Sequence, residues 1–194
     1  DDELIRIAEA RHHDPLSVLG RHPCPEGVLV RAYIPHAMEV SIAEGNLPLA
    51  RVPDSDFFEW RGSGKNLPEH YRLIWRDTWH HDHIAHDPYS YLPQLSDFDL
   101  HLFGEGRHSH AYRFLGANEH EVDGVAGILF AVWAPNAERV SVLGDFNHWD
   151  GRRHAMRVRP GSGVWELFVP DIPAGIFYRF EIRNRNSGEV LTKS

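Results

Sequence analysis

Gly27 to Ile42 reads GVLVRAYIPHAMEVSI, and Gly127 to Val142 reads GILFAVWAPNAERVSV, 100 residues later and without a gap. Six of the 16 positions are identical: Gly27, Leu29, Pro35, Ala37, Val40 and Ser41. Most others trade like for like, such as Tyr33 for Trp133 and Ile42 for Val142. Downstream, Phe58-Glu59 answers Trp165-Glu166 and Tyr71-Arg72 answers Tyr178-Arg179, both 107 residues on. Upstream, His12 and Leu19-Gly20 answer His108 and Leu115-Gly116, 96 residues on. Ordered matches across a whole unit mean two domains of one fold.

The copies themselves read as strands. Val28, Val30, Ala32 and Ile34 share one face of an extended segment, and Leu29, Arg31 and Tyr33 share the other. The second copy keeps the order, with Ile128, Phe130, Val132 and Ala134 against Leu129, Ala131 and Trp133. The apolar set is the expected core face. A Pro-x-Ala turn then leads to Val40–Ile42 or Val140–Leu143. Further strands are predicted at Phe57–Trp60, Tyr71–Trp75, Val164–Val169 and Tyr178–Arg183, with Gly, Pro, Asn and Asp in the gaps. Many short strands so spaced predict an all-β chain with one β-sandwich per half. Trp165 is expected in the core and Trp133 on a packing face.

Two short helices are predicted. Leu4, Ile5 and Ala8, with Ile7, make a short apolar face that ends at His13-Asp14-Pro15. Ser96, three residues before Asp99, resembles a capping box, Phe98 and Leu102 are four apart, and Gly104 stops the turn. The expected division is 1–104 and 105–194, each sandwich preceded by one helix.

Composition bounds the function. Net charge is −8 and pI about 6.0, so there is no basic footprint for nucleic acid. Arg152-Arg153 reads as solvated surface. A single cysteine, Cys24, excludes an internal disulfide framework and fits a reducing compartment. No apolar run is long enough for a membrane helix, and no signal peptide is expected. A chain that opens on Asp1 rather than Met reads as a piece of a longer protein.

The segment richest in chemistry is Leu143-Gly144-Asp145-Phe146-Asn147-His148-Trp149-Asp150, which has no counterpart in the first copy, where Ala43-Glu44-Gly45-Asn46 stands. A flat indole between an amide and a carboxylate suits a sugar, whose C–H face lies on the ring while polar groups take the hydroxyls. The same residues also suit a structural loop in which Phe146 and Trp149 anchor onto the sandwich.

With Val140-Ser141-Val142-Leu143 before it, this segment resembles the signature of the family 48 starch- and glycogen-binding module, an immunoglobulin-like β-sandwich. Tyr112–Ala117, Phe130–Ala137, Gly163–Phe168 and, in the first half, Asp14–Gly20 resemble the bacterial 1,4-α-glucan (glycogen) branching enzyme family. That resemblance covers essentially the whole chain. It implies two tandem immunoglobulin-like sandwiches ahead of a catalytic (β/α)8 barrel of the same polypeptide, in a cytoplasmic protein of glycogen biosynthesis. It implies α-glucan (glycogen, maltooligosaccharides) as the partner, met through Trp149, Asn147, Phe146, Tyr178 and Arg179. Related modules often carry a second aromatic in the turn corresponding to Asn184–Val190, and here that turn has none. The family's chemistry is retaining transfer of an α-1,4 segment to a 6-hydroxyl by two carboxylates. These belong to the barrel, so no catalytic residue is expected here, and no cofactor or metal. Leu191-Thr192-Lys193-Ser194 matches the first copy just short of its Asp87-Pro88-Tyr89, so a barrel is expected to follow.

Two other readings stand beside this one. In the first, both sandwiches are scaffolding for the barrel and hold no glucan. In the second, the 15 histidines, with His80, His83 and His86 three apart, bind a metal.

Overall fold

The computed structural model describes residues 2–107 and 111–194. His108, matched above to His12, lies outside the described residues. Among those residues the chain is β-rich, with two short helices, α1 (Asp2–Ala8) and α2 (Asp97–Gly104). No helix among them is long and apolar enough to cross a membrane.

The first sandwich is built from β1 (Gly20–Cys24), β2 (Gly27–Tyr33), β3 (Ala37–Ile42), β4 (Leu47–Arg51), β5 (Phe57–Gly62), β6 (Arg72–Asp77) and β7 (Asp82–His86). They form one antiparallel sheet in the order β1-β2-β5-β4-β3-β6-β7. The sheet folds over on β4, where Leu47, Pro48 and Leu49 pair with β3 while Ala50 and Arg51 pair with β5. One strand thus serves both layers. Val30, Ala32, Ile34, Val40, Ile42, Phe58, Tyr71 and Trp75 fill the space between them. The apolar face read from Val28–Ile34 is the core face.

The second sandwich uses β8 (Gly116–Val122), β9 (Val125–Trp133), β10 (Ala137–Gly144), β11 (Arg157–Arg159), β12 (Val164–Pro170), β13 (Tyr178–Asn184) and β14 (Val190–Lys193). Here the layers are separate sheets, β10-β13-β14 and β11-β12-β9-β8. The repeat is preserved in register. Ala37 pairs with Asp77 and Ala137 with Asn184, and both ladders carry an irregularity before the next pair, at Glu39 and Arg139. Gly27 and Gly127 also share a job. A Cβ on Gly27 would meet Gly62 O at 2.8 Å, and one on Gly127 would meet Val169 O at 2.3 Å, so neither place admits a side chain.

The copies part where β4 would be. In the second copy, only the bridge between Ser141 and Ala155 and the bond from Met156 N to Val140 O (2.8 Å) remain of that joint. The chain between them is released as a loop, Gly144 to His154.

By packing, Leu16–Tyr91 forms one compact unit, and the described residues of Asp1–Pro15 and Leu92–Ser194 form the other. This grouping differs from the division at 104/105 expected above. The linker stays with the second sandwich because of Glu166, which is fully buried on the outer face of β12. Its carboxylate accepts from Gln94 N (2.8 Å), Leu95 N (2.9 Å) and the Arg159 guanidinium (3.4 Å). Arg159 also donates to Leu95 O (2.6 Å) and Asp97 (2.8 Å). With the linker laid over it, β12 is buried on both faces, and Trp165 lies in the core with its indole N–H on Ala134 O (3.1 Å). Trp133 is mostly exposed, touching the Phe103 ring edge-on.

α1 belongs to this unit too. Ile7 is its buried residue with Leu4 and Ala8 half-buried beside it, while Ile5, expected on the same face, is exposed. His12 is buried behind it, bonded to Glu3 (2.5 Å) and accepting from Asp14 N (3.0 Å). α2 begins as expected, with Ser96 Oγ accepting from Asp99 N (3.1 Å), but it buries Leu100 and leaves Phe98 in solvent.

Candidate functional site

The released loop of the second sandwich is organised by Asn147. This side chain is 5% exposed and its amide is consumed internally. Oδ1 accepts from Gly144 N (3.0 Å), while Nδ2 donates to Val142 O (2.9 Å) and to Nδ1 of His154 (3.0 Å). An imidazole accepting at Nδ1 is neutral. Burial pushes the His154 pKa well below its ordinary 6.5, and the charge of Arg153 adds to the shift.

Around Asn147 the backbone turns sharply. His148 and Trp149 both take positive φ, 54° and 59°. Each such residue costs about 1–3 kcal/mol and persists only where its surroundings impose it. Here Trp149 N donates to Gly144 O (3.0 Å) and Asp150 N to Asn147 O (3.0 Å). Gly144 itself is extended, and its hydrogen side faces the Phe146 ring. A Cβ there would lie 2.3 Å from that ring and 2.9 Å from Phe177 O.

The outcome is an indole held at the surface. Trp149 is 43% exposed, and its ring N–H is fixed on Asp145 Oδ1 at 2.8 Å. What the ring offers a ligand is its apolar face. Asp150 clamps Arg152, with guanidinium contacts down to 2.7 Å, so that arginine closes the loop.

The other expected residues divide by position. Phe146 is half-buried, stacked toward Phe130 (6.0 Å) and edge-on to His154 (5.2 Å), which makes it the loop's anchor. β13 pairs with β10 so that Tyr178 faces Gly144 and Arg179 faces Leu143. Tyr178 turns inward against Phe130 (5.1 Å) and Phe180 (5.4 Å). Arg179 is exposed on the opposite face, the face over which the Gly151 turn covers Leu143 and Ser141. Trp149 and Arg179 are therefore open to a ligand, Phe146 and Tyr178 only partly, and Asn147 not at all.

Two residues escaped the sequence reading. Asp145 orients the indole, and Phe177 is the most exposed large apolar residue here, at 81%. The signal for Phe177 was alternation: if Tyr178 and Phe180 point inward, the ring before them points out.

The histidine-rich hairpin of the first sandwich is organised internally. Asp77 is buried and accepts from His83 (2.8 Å), Trp79 N (2.9 Å) and His81 N (2.9 Å), while His83 stacks on Trp75. Burial alone would raise the Asp77 pKa; these bonds outweigh it and bring it to about 2.

Comparison with known proteins places both halves. Residues 1–89 match the model of the alpha-1,4-glucan branching enzyme GlgB, N-terminal domain, and residues 114–194 match Carbohydrate-binding module 48 (Isoamylase N-terminal domain). The 1,4-alpha-glucan branching enzyme GlgB of Methylococcus capsulatus is 54% identical over 192 residues, 99% of this chain and 26% of the relative. That of Cellvibrio japonicus is 52% identical over 202 residues, 99% of this chain and 27% of the relative. The chain thus spans about a quarter of the length of these curated relatives. Among solved structures, a pullulanase from Anoxybacillus sp. LM18-11 aligns at TM-score 0.32 and 11% identity, over 89% of this chain and 25% of that one, too low to argue from. The chain belongs to the GlgB branching-enzyme family, as its N-terminal domain followed by a carbohydrate-binding module 48.

Proposed function

We propose that this chain is the non-catalytic front of a 1,4-α-glucan branching enzyme, and that its second sandwich holds an α-glucan chain for the catalytic domain. The observation that carries this reading is the Trp149 indole, half-exposed with its N–H already taken by Asp145. Such a ring has only its face to offer, and the C–H face of a pyranose is its natural partner. Phe177, exposed just before β13, offers a second apolar ring, and Arg179 supplies a cation on a flexible stem for ring hydroxyls. Asn147 works beneath the site by fixing the loop. Cleavage of an α-1,4 bond and transfer to a 6-hydroxyl belong to the remaining three quarters of the relatives' length. The cytoplasmic location expected above goes with this reading.

Electrophoresis through gels containing glycogen tests it. The chain is expected to be retarded, and Trp149→Ala to run free. Migration unaffected by glycogen would instead favour pure scaffolding. One observation supports that rival: Leu92, Phe98, Tyr112 and Trp133, all in the unit of the second sandwich, are each exposed. Apolar area of this kind is what a docked domain covers.

A further inference from the structure

Away from the Trp149 loop, the second unit holds an open cavity of about 390 Å³, lined by Arg6 of α1, Arg11, His13, Glu138 of β10 and Arg185 after β13. Segments far apart in the chain converge on it. Arg185 is fixed there, its backbone N–H on Asn136 O (2.9 Å) and its guanidinium on Ala137 O (3.3 Å). The single lining carboxylate, Glu138, is shared: Arg183 lies 3.0 Å from it and Arg11 3.7 Å. Glu9 and Glu3 meet Arg11 and Arg6 from outside, at 3.1 and 3.7 Å, as exposed pairs of the kind that contribute little. The lining therefore gathers three guanidinium groups and an imidazole about one already claimed carboxylate, in a chain whose net charge is −8.

We propose that this cavity binds a phosphorylated small molecule, its phosphate held by Arg11 and Arg185, with Arg6 and His13 beside it. Planar guanidinium forks match phosphate oxygens in pairs. The volume exceeds what one phosphate needs and falls within the range of small-molecule sites, about 300–1,000 Å³. Glu138 sets the selectivity. It repels any anion too weakly charged to outweigh it.

Calorimetric titration of the 194-residue chain with inorganic phosphate, pyrophosphate and a hexose phosphate tests the proposal. At least one is expected to bind with a Kd of about 1 mM or tighter, and which binds tightest separates a sugar ester from a bare diphosphate. Arg11→Gln with Arg185→Gln should weaken binding about tenfold or more, whereas Arg61→Gln, an exposed arginine of the other sandwich, should not. Because Arg185 also holds Ala137 O, the pair Arg6→Gln with Arg11→Gln repeats the test without touching that bond. No binding of any of the three probes overturns the site. So does binding that survives in both pairs, or that falls equally in Arg61→Gln.

Discussion

The side-chain amide of Asn147 donates to Nδ1 of His154 across 3.0 Å, and both residues are buried beneath the loop that exposes Trp149. That bond requires a neutral imidazole, which makes the loop a titratable structure. His154 has its folded pKa pushed well below 6.5. Its stabilising contribution is therefore complete above pH 6.5 and is lost as pH falls below it toward the folded value. Thermal unfolding measured at pH 7.5 and 5.5 should show a fall in Tm that is smaller in His154→Asn, which keeps an acceptor and cannot titrate. An equal fall in both would count against this account.

Asn147→Ala should destabilise the second sandwich rather than trim a sugar contact. It leaves the buried Gly144 N and Val142 O without their partners, at about 1–3 kcal/mol per unsatisfied group. Denaturant unfolding reads the loss, and an unchanged midpoint would contradict it.

Trp149→Ala should do the reverse, leaving Tm within a few degrees while glycogen affinity drops about tenfold or more. Phe177→Ala should weaken retardation to a smaller extent, since Phe177 O rather than its ring approaches Gly144. If Phe177→Ala cost as much stability as Asn147→Ala, the ring would be a structural one.

Glu166→Ala should be the most damaging of these changes. It strips a buried carboxylate from two backbone N–H groups and the Arg159 guanidinium, a loss of about 3–5 kcal/mol. Protease cleavage in the 92–104 linker is expected to accelerate with it, because the linker loses its attachment to β12. Resistance equal to the parent chain would show that the clamp is dispensable.

The hairpin at Asp77 titrates at the other end of the scale. With its folded pKa lowered from 3.8 to about 2, Asp77 stabilises the first sandwich fully above pH 3.8 and progressively less as pH falls toward 2. Asp77→Asn should flatten acid unfolding in that window, followed by tryptophan fluorescence at the neighbouring Trp75 and Trp79. An acid transition of the same steepness would exclude Asp77 as its source.

The strands were legible because burial on one face writes a period of two into the chain, and the repeat wrote it twice. Val30, Ala32 and Ile34 needed no partner to be named as core. The helix faces were less legible: of the apolar set Leu4, Ile5, Ile7 and Ala8, the sandwich covers Ile7 and leaves Ile5 in solvent, since seven residues sample too few turns to define a stripe. At the proposed site, residue type singled out the loop and Trp149, but could not separate its exposed ring from the buried Asn147 two positions earlier.

By itself, then, the sequence determined two copies of one β-sandwich, the strand faces, and the loop that only the second copy carries. These are local or repeated patterns, and short-range stereochemistry is enough to read them. Tertiary structure alone decided that Asn147 supports while Trp149 presents, that Glu166 binds the linker to β12, and that Arg6, Arg11, His13 and Arg185 share a cavity. Each of these depends on which distant backbone or side chain arrives as a partner, and burial and hydrogen bonding are settled by that arrival.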